Sequence, residues 1–125
     1  MNQQEQFIRE VVKGYSSENS ITIGAGVLDG AIHPEALVKI PLATMNRHGL
    51  IAGATGTGKT KTLQGLAEGL ASNGVAVMMM DIKGDLSGIA MPGTANDKIT
   101  GRHEKLGIPW KPVSFPCELM SLSDQ

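Results

Sequence analysis

The sequence predicts an α/β fold built on a parallel sheet, entered through a short N-terminal helix and a small β appendage. Three observations carry this. A β-loop-α-β pattern starts at His48, where Leu50-Ile51-Ala52 leads into a glycine-rich turn and then an apolar-striped helix. The run Val75-Ala76-Val77-Met78-Met79-Met80 is apolar throughout and stops at Asp81, the pattern of a parallel strand covered on both faces. Near the N-terminus, Phe7, Ile8, Val11, Val12 and Tyr15 recur at helical spacing, which predicts an amphipathic packing helix over residues 5–15.

Two β-prone runs, residues 20–24 and 36–42, flank a turn around Asp29-Gly30 and form the appendage. These elements define an N-terminal unit over residues 1–46, and residues 47–125 form the main α/β unit. In the helix that opens at Lys59, Leu63, Leu66, Ala67 and Leu70 form one stripe, and Asn73-Gly74 ends it. Gly65 and Gly69, four apart, weaken an isolated helix and so point to close approach of a neighbouring strand. The methionines of the 75–80 run read as core filling rather than a metal site. A Gly/Pro-containing loop over residues 84–93, a polar helix over 96–106 and a third strand over 113–122, placed at an edge by Pro116, complete the chain.

Composition bounds the function. The 125 residues, 41% of them hydrophobic, suit one domain with a core. Eleven basic against 12 acidic side chains give a formal charge of -1, so no net basic field draws nucleic acid, and aromatics at 3% leave few surfaces for base stacking. Cys117 is the single cysteine, which excludes an intrachain disulfide and fits a reducing compartment. With no signal-like N-terminus and no apolar run of membrane-spanning length, the expected location is the cytoplasm, away from membranes.

Chemistry is carried by Gly53, Ala54, Thr55, Gly56, Thr57, Gly58, Lys59 and Thr60, which fit G-x-x-x-x-G-K-[ST] without a mismatch. About 1–2% of shuffled chains of this composition would contain that pattern, and its position between a strand and a helix matches the mechanism's need. Glycines let successive N–H groups turn inward as a nest for a phosphate, and the following helix adds its positive end. Lys59 is the candidate catalytic cation, reaching the β- and γ-phosphates, and Thr60 is the expected Mg²⁺ ligand. A nucleoside triphosphate, ATP with Mg²⁺, is the expected ligand, and the alternative of a glycine-rich turn that binds nothing suits the motif and its context poorly.

Other residues divide less clearly. Asp81 ends an apolar strand as a carboxylate on the Mg²⁺ side does, yet it is also readable as a plain strand terminus. Residues 81–84 match the short D-x-x-G pattern of GTPases, but no N-K-x-D guanine reader occurs. His33, His48 and His103 lack metal-ligand spacing, and Ser16, Ser17 and Ser87 lack a nucleophile setting. Lys61 and Thr62 read as exposed helix residues.

Arg47-His48 before the first strand, the loop Gly53-Ala54-Thr55-Gly56-Thr57-Gly58-Lys59-Thr60, and Asp81-Ile82-Lys83-Gly84-Asp85 after the second strand resemble the HerA-like branch of the HerA/FtsK ATPases over residues 32–87. The resemblance implies a RecA-type P-loop NTPase with an additional strand, here partial, in which residues 53–60 hold ATP, Lys59 and Thr60 contact phosphate and Mg²⁺, and Asp81 belongs to the D-x-K-G segment. It further implies a hexameric ring in which ATP hydrolysis drives DNA translocation or unwinding. Members of that family continue through a strand ending in Asp-Glu and an arginine finger, neither recognisable here, where the run Ser114-Phe115-Pro116-Cys117-Glu118 is broken by proline. The chain is therefore expected to be an amino-terminal portion of a longer ATPase, with hydrolysis, DNA contact and ring formation belonging to the full length. Two other readings remain: a small-molecule kinase, with Lys98, Arg102 and Lys105 as a basic lid, and a nucleotide-binding module without turnover. Marginal stability and a tendency to associate are also expected, because a parallel sheet cut short leaves an open edge.

Overall fold

Helix α1 spans Gln3–Tyr15 and begins in a reciprocal cap: Glu5 N–H donates to Asn2 Oδ1 at 2.8 Å, and Asn2 N–H donates to Glu5 Oε2 at 3.0 Å. The computed structural model to which it belongs describes residues 2–122, so residue 1 and residues 123–125, the outer ends of the two expected units, lie outside the description. Strands β1 (Ser20–Leu28) and β2 (Ala31–Pro41) follow as an antiparallel hairpin, with Leu28 paired to Ala31 and Ser20 to Pro41. The turn between them is Asp29-Gly30, with φ +50° and +80°; two successive left-handed residues give the twist that a two-residue hairpin needs. Pro34 sits where the register slips, between the His33–Gly26 and Leu37–Ala25 pairs, so its missing N–H interrupts no ladder bond.

The hairpin is longer than the two short runs predicted, and it is the organising centre of the molecule. Helix α1 packs chiefly on β2, laying the Phe7 ring edge-on to His33 at 5.6 Å and over Gly26, where a Cβ would lie 2.8 Å from the ring. Helix α2 (Lys59–Ser72) packs on β1, and helix α3 (Asp97–Leu106) on β2. Gly69 gives α2 its close approach: a Cβ there would meet Ile21 Cγ2 at 2.5 Å. Gly65 has open space, so only one of the two helix glycines serves packing. Short 3-10 turns occupy Leu42–Thr44 and Ser87–Ala90.

The element classes make this an α/β chain, but three expected strands do not form. Among the described residues the only sheet is the two-stranded β1-β2 hairpin. Residues 50–52, 75–80 and 113–122 carry no ladder, and no parallel pairing is present. A buried parallel strand needs backbone partners alongside it and cover on both faces. Residues 75–80 have neither: Met78 is 82% exposed and Met80 76%. The core is correspondingly thin, with Ile21, Ala36, Ala67 and Leu86 as its buried apolar residues. The 41% hydrophobic content expected to build a core does so only in part, because much of it faces outward.

Candidate functional site

The loop over residues 53–58 runs into α2 through two left-handed glycines, Gly56 at φ +79° and Gly58 at φ +96°. Gly58 is the residue before the helix and supplies no side-chain cap, so the first-turn N–H groups of α2 stay open. The backbone N–H groups of Gly56, Gly58, Lys59 and Thr60 donate to no acceptor among the described residues. A line of unused donors at a helix N-terminus, with no side chain over it, is an anion-binding arrangement. Gly53 is small for a different reason, since a Cβ on it would lie 2.7 Å from Thr57 Oγ1.

Ala54 ties the loop together. Its carbonyl accepts from Lys59 Nζ at 2.7 Å, Thr57 Oγ1 at 2.7 Å and, more weakly, Thr57 N–H at 3.4 Å. Lys59 thus folds its ammonium back across the loop onto a neutral acceptor. A phosphate oxygen in the same place would be the stronger partner, because its hydrogen bond to an ammonium is charge-assisted.

Beside the helix lies a second structured turn. The Asp81 carboxylate accepts four backbone N–H bonds: Oδ1 takes those of Lys83, Gly84 and Asp85 at 3.2, 2.8 and 3.3 Å, and Oδ2 takes that of Leu86 at 3.0 Å. These bonds, the one from Leu86 foremost, outweigh a desolvation effect that pushes the other way and hold the carboxyl below its ordinary pKa. The turn is docked on α2 at two points one helical turn apart. Thr60 Oγ1 donates to Asp85 Oδ2 at 3.2 Å, and the buried Gln64 donates through Nε2 to the Asp85 carbonyl at 3.1 Å. Lys61 Nζ completes the row by donating to Gln64 Oε1 at 2.9 Å, so Lys61 has a structural tie to the docking amide.

The eight loop residues therefore lie together at the start of α2, with Lys59 and Thr60 on its first turn. The hydrogen bonds of Asp81 organise its own turn, and it is Asp85 of that turn that meets Thr60. Asp85 and Gln64 are the site residues that sequence reasoning missed, although Asp85 stood within the segment used for the family resemblance. Oxygen donors at Thr60 and Asp85 suit a hard cation such as Mg²⁺, which keeps several waters and takes few protein ligands. Among the described residues no group of three or more His, Cys, Asp or Glu could hold a metal by itself. Two open concavities of about 340 and 360 Å³, one beside Gln4 and His33 and the other beside His103 and Trp110, include no loop residue. A surface nest of N–H groups needs no cavity to bind an anion, so their position says nothing against the loop. Helix α3, with Lys98, Arg102 and Lys105, is docked on β2, and Gly107 behind it abuts Pro34.

No described helix is long and apolar enough to cross a membrane. A family model described as helicase HerA-like C-terminal matches residues 28–125, a range that takes in β2, the loop, the Asp81 turn and α3. Neither the curated proteins nor the solved structures contain a match to the chain.

Proposed function

The chain belongs to the helicase HerA-like C-terminal family, and on that premise we propose that residues 53–60 bind the phosphates of ATP with Mg²⁺, as the nucleotide-binding portion of a HerA-like ATPase. The observation that carries the reading is the row of unpartnered N–H groups at Gly56, Gly58, Lys59 and Thr60, set at a helix start with Lys59 alongside. On binding, Lys59 leaves the Ala54 carbonyl for the β- and γ-phosphates, and Thr60 contributes its hydroxyl to Mg²⁺. Bound Mg²⁺ supplies charge neutralisation between those phosphates. On this reading the parallel sheet of the P-loop fold belongs to the whole protein, where the apolar runs at 50–52 and 75–80, unpaired here, would gain strand partners. It also includes the cytoplasm as the working compartment.

In the whole protein the bound nucleotide would be hydrolysed to move or unwind DNA, with ring assembly as the family resemblance implies. A formal charge of -1 makes DNA contact a property of local surfaces or of the assembly rather than of the chain's overall field. The direct test is equilibrium binding of a fluorescent ATP analogue to the wild-type chain and to Lys59→Ala. Saturable binding by the wild type, weakened at least about tenfold in the variant, is expected from loss of one charge-assisted contact worth about 1.5–3 kcal/mol. Equal binding by both proteins would remove the loop from the site. Turnover measured with and without duplex DNA then separates a DNA-coupled ATPase from a binding module.

A further inference from the structure

We propose that Asp85 is the positioning residue of the metal side of this site, fixing the Thr60 hydroxyl so that its oxygen faces Mg²⁺, and that Asp81 holds Asp85 in place. The proposal rests on the nucleotide reading above and adds a role that the loop motif does not contain. A hydroxyl has one proton and two lone pairs, so it can bind a cation only if the proton points elsewhere. Thr60 Oγ1 donates that proton to Asp85 Oδ2 at 3.2 Å, which leaves its lone pairs free. A partner that takes the proton of a metal-bound group fixes its orientation and raises its basicity.

Asp85 sits on an exposed turn, where a carboxylate would ordinarily sample many positions. Two devices remove that freedom. The Asp81 carboxylate gathers the N–H groups of Lys83, Gly84, Asp85 and Leu86, fixing the backbone that carries Asp85. Gln64 pins the Asp85 carbonyl to α2 one turn beyond Thr60, so both anchors come from the helix that bears the metal ligand. Leu86, buried beside them, fastens the end of the turn to the core.

Affinity for the fluorescent ATP analogue, measured in Mg²⁺ and in EDTA, tests this on the full chain. Asp85→Ala should lose about tenfold of the Mg²⁺-dependent gain while its affinity in EDTA is unchanged. Asp85→Asn, which keeps an acceptor oxygen, should recover part of that gain, and Asp81→Ala should resemble Asp85→Ala. A full Mg²⁺-dependent gain in Asp85→Ala would overturn the proposal, as would an equal loss in EDTA, which marks a structural role. Asp85→Asn behaving like Asp85→Ala would assign the effect to charge and also overturn it. Wild-type binding that gains nothing from Mg²⁺ overturns this proposal alone, whereas no wild-type binding in either buffer overturns the nucleotide reading and this proposal with it.

Discussion

The Asp81 carboxylate owes its lowered pKa chiefly to the hydrogen bond from Leu86, against an upward push from desolvation, with Gly84, Asp85 and Lys83 adding to the fall. A folded pKa below the unfolded one means that the ionised form stabilises the turn fully above the ordinary value of 3.8, and that this contribution is lost as pH falls through the folded pKa. In an NMR titration the amides of residues 83–86 should move together with a midpoint below 3.8, and Asp81→Ala should abolish the shared transition. A midpoint at or above 3.8 would contradict the four-bond geometry. At this scale the glycine turn running into α2 was legible because it is written in eight consecutive residues. The Thr60–Asp85 contact was not, because it joins residues 25 apart and depends on how a turn folds back on a helix.

Elements behaved by the same rule. Helices α1, α2 and α3 and the Asp29-Gly30 hairpin were readable because their caps and turn residues are local: Asn2 and Asn96 cap α1 and α3, and Gly74 and Gly107 follow the ends of α2 and α3 with left-handed φ. The runs at 50–52, 75–80 and 113–122 failed as strands because a strand exists only through a partner, and apolar content alone does not supply one. Substitution of Asn2 by Ala should cost about 1 kcal/mol, read as a lower thermal midpoint and lost helical ellipticity, since it removes the Oδ1 acceptor of the Glu5 N–H and leaves only the backbone half of the cap. The two helix glycines give a sharper contrast. Gly65→Ala has open space and should stabilise α2 by about 1 kcal/mol through helix propensity. Gly69→Ala gains the same propensity but drives a Cβ to 2.5 Å from the stiff, β-branched Ile21, an overpacking cost of about 1–3 kcal/mol. Thermal midpoints should therefore rank Gly65→Ala above wild type and Gly69→Ala at or below it. A Gly69→Ala variant as stable as Gly65→Ala would mean that α2 does not rest on β1 as described.

The whole molecule exposes 9958 Å². A compact monomer of its 13.1 kDa would expose roughly 6,400 Å². The excess is not all polar: Leu50 is 89% and Ile82 95% exposed, and Met78, Met80, Leu119 and Met120 also face outward. Apolar surface on that scale is an interface or an association hazard, and the 75–80 run, uncharged and unpaired, is of the kind that joins other chains edge to edge. With few buried side chains, little surface is left to drive a cooperative transition. Light scattering after gel filtration, in reductant because Cys117 is exposed, should show mass rising with protein concentration. Calorimetry should show a broad, low-enthalpy melt that sharpens as the chains associate. Met78→Lys together with Met80→Lys should suppress the rise in mass, because two charges on the unpaired run oppose pairing while removing no buried contact. A concentration-independent monomer with a sharp transition would show that the apolar runs are covered in solution.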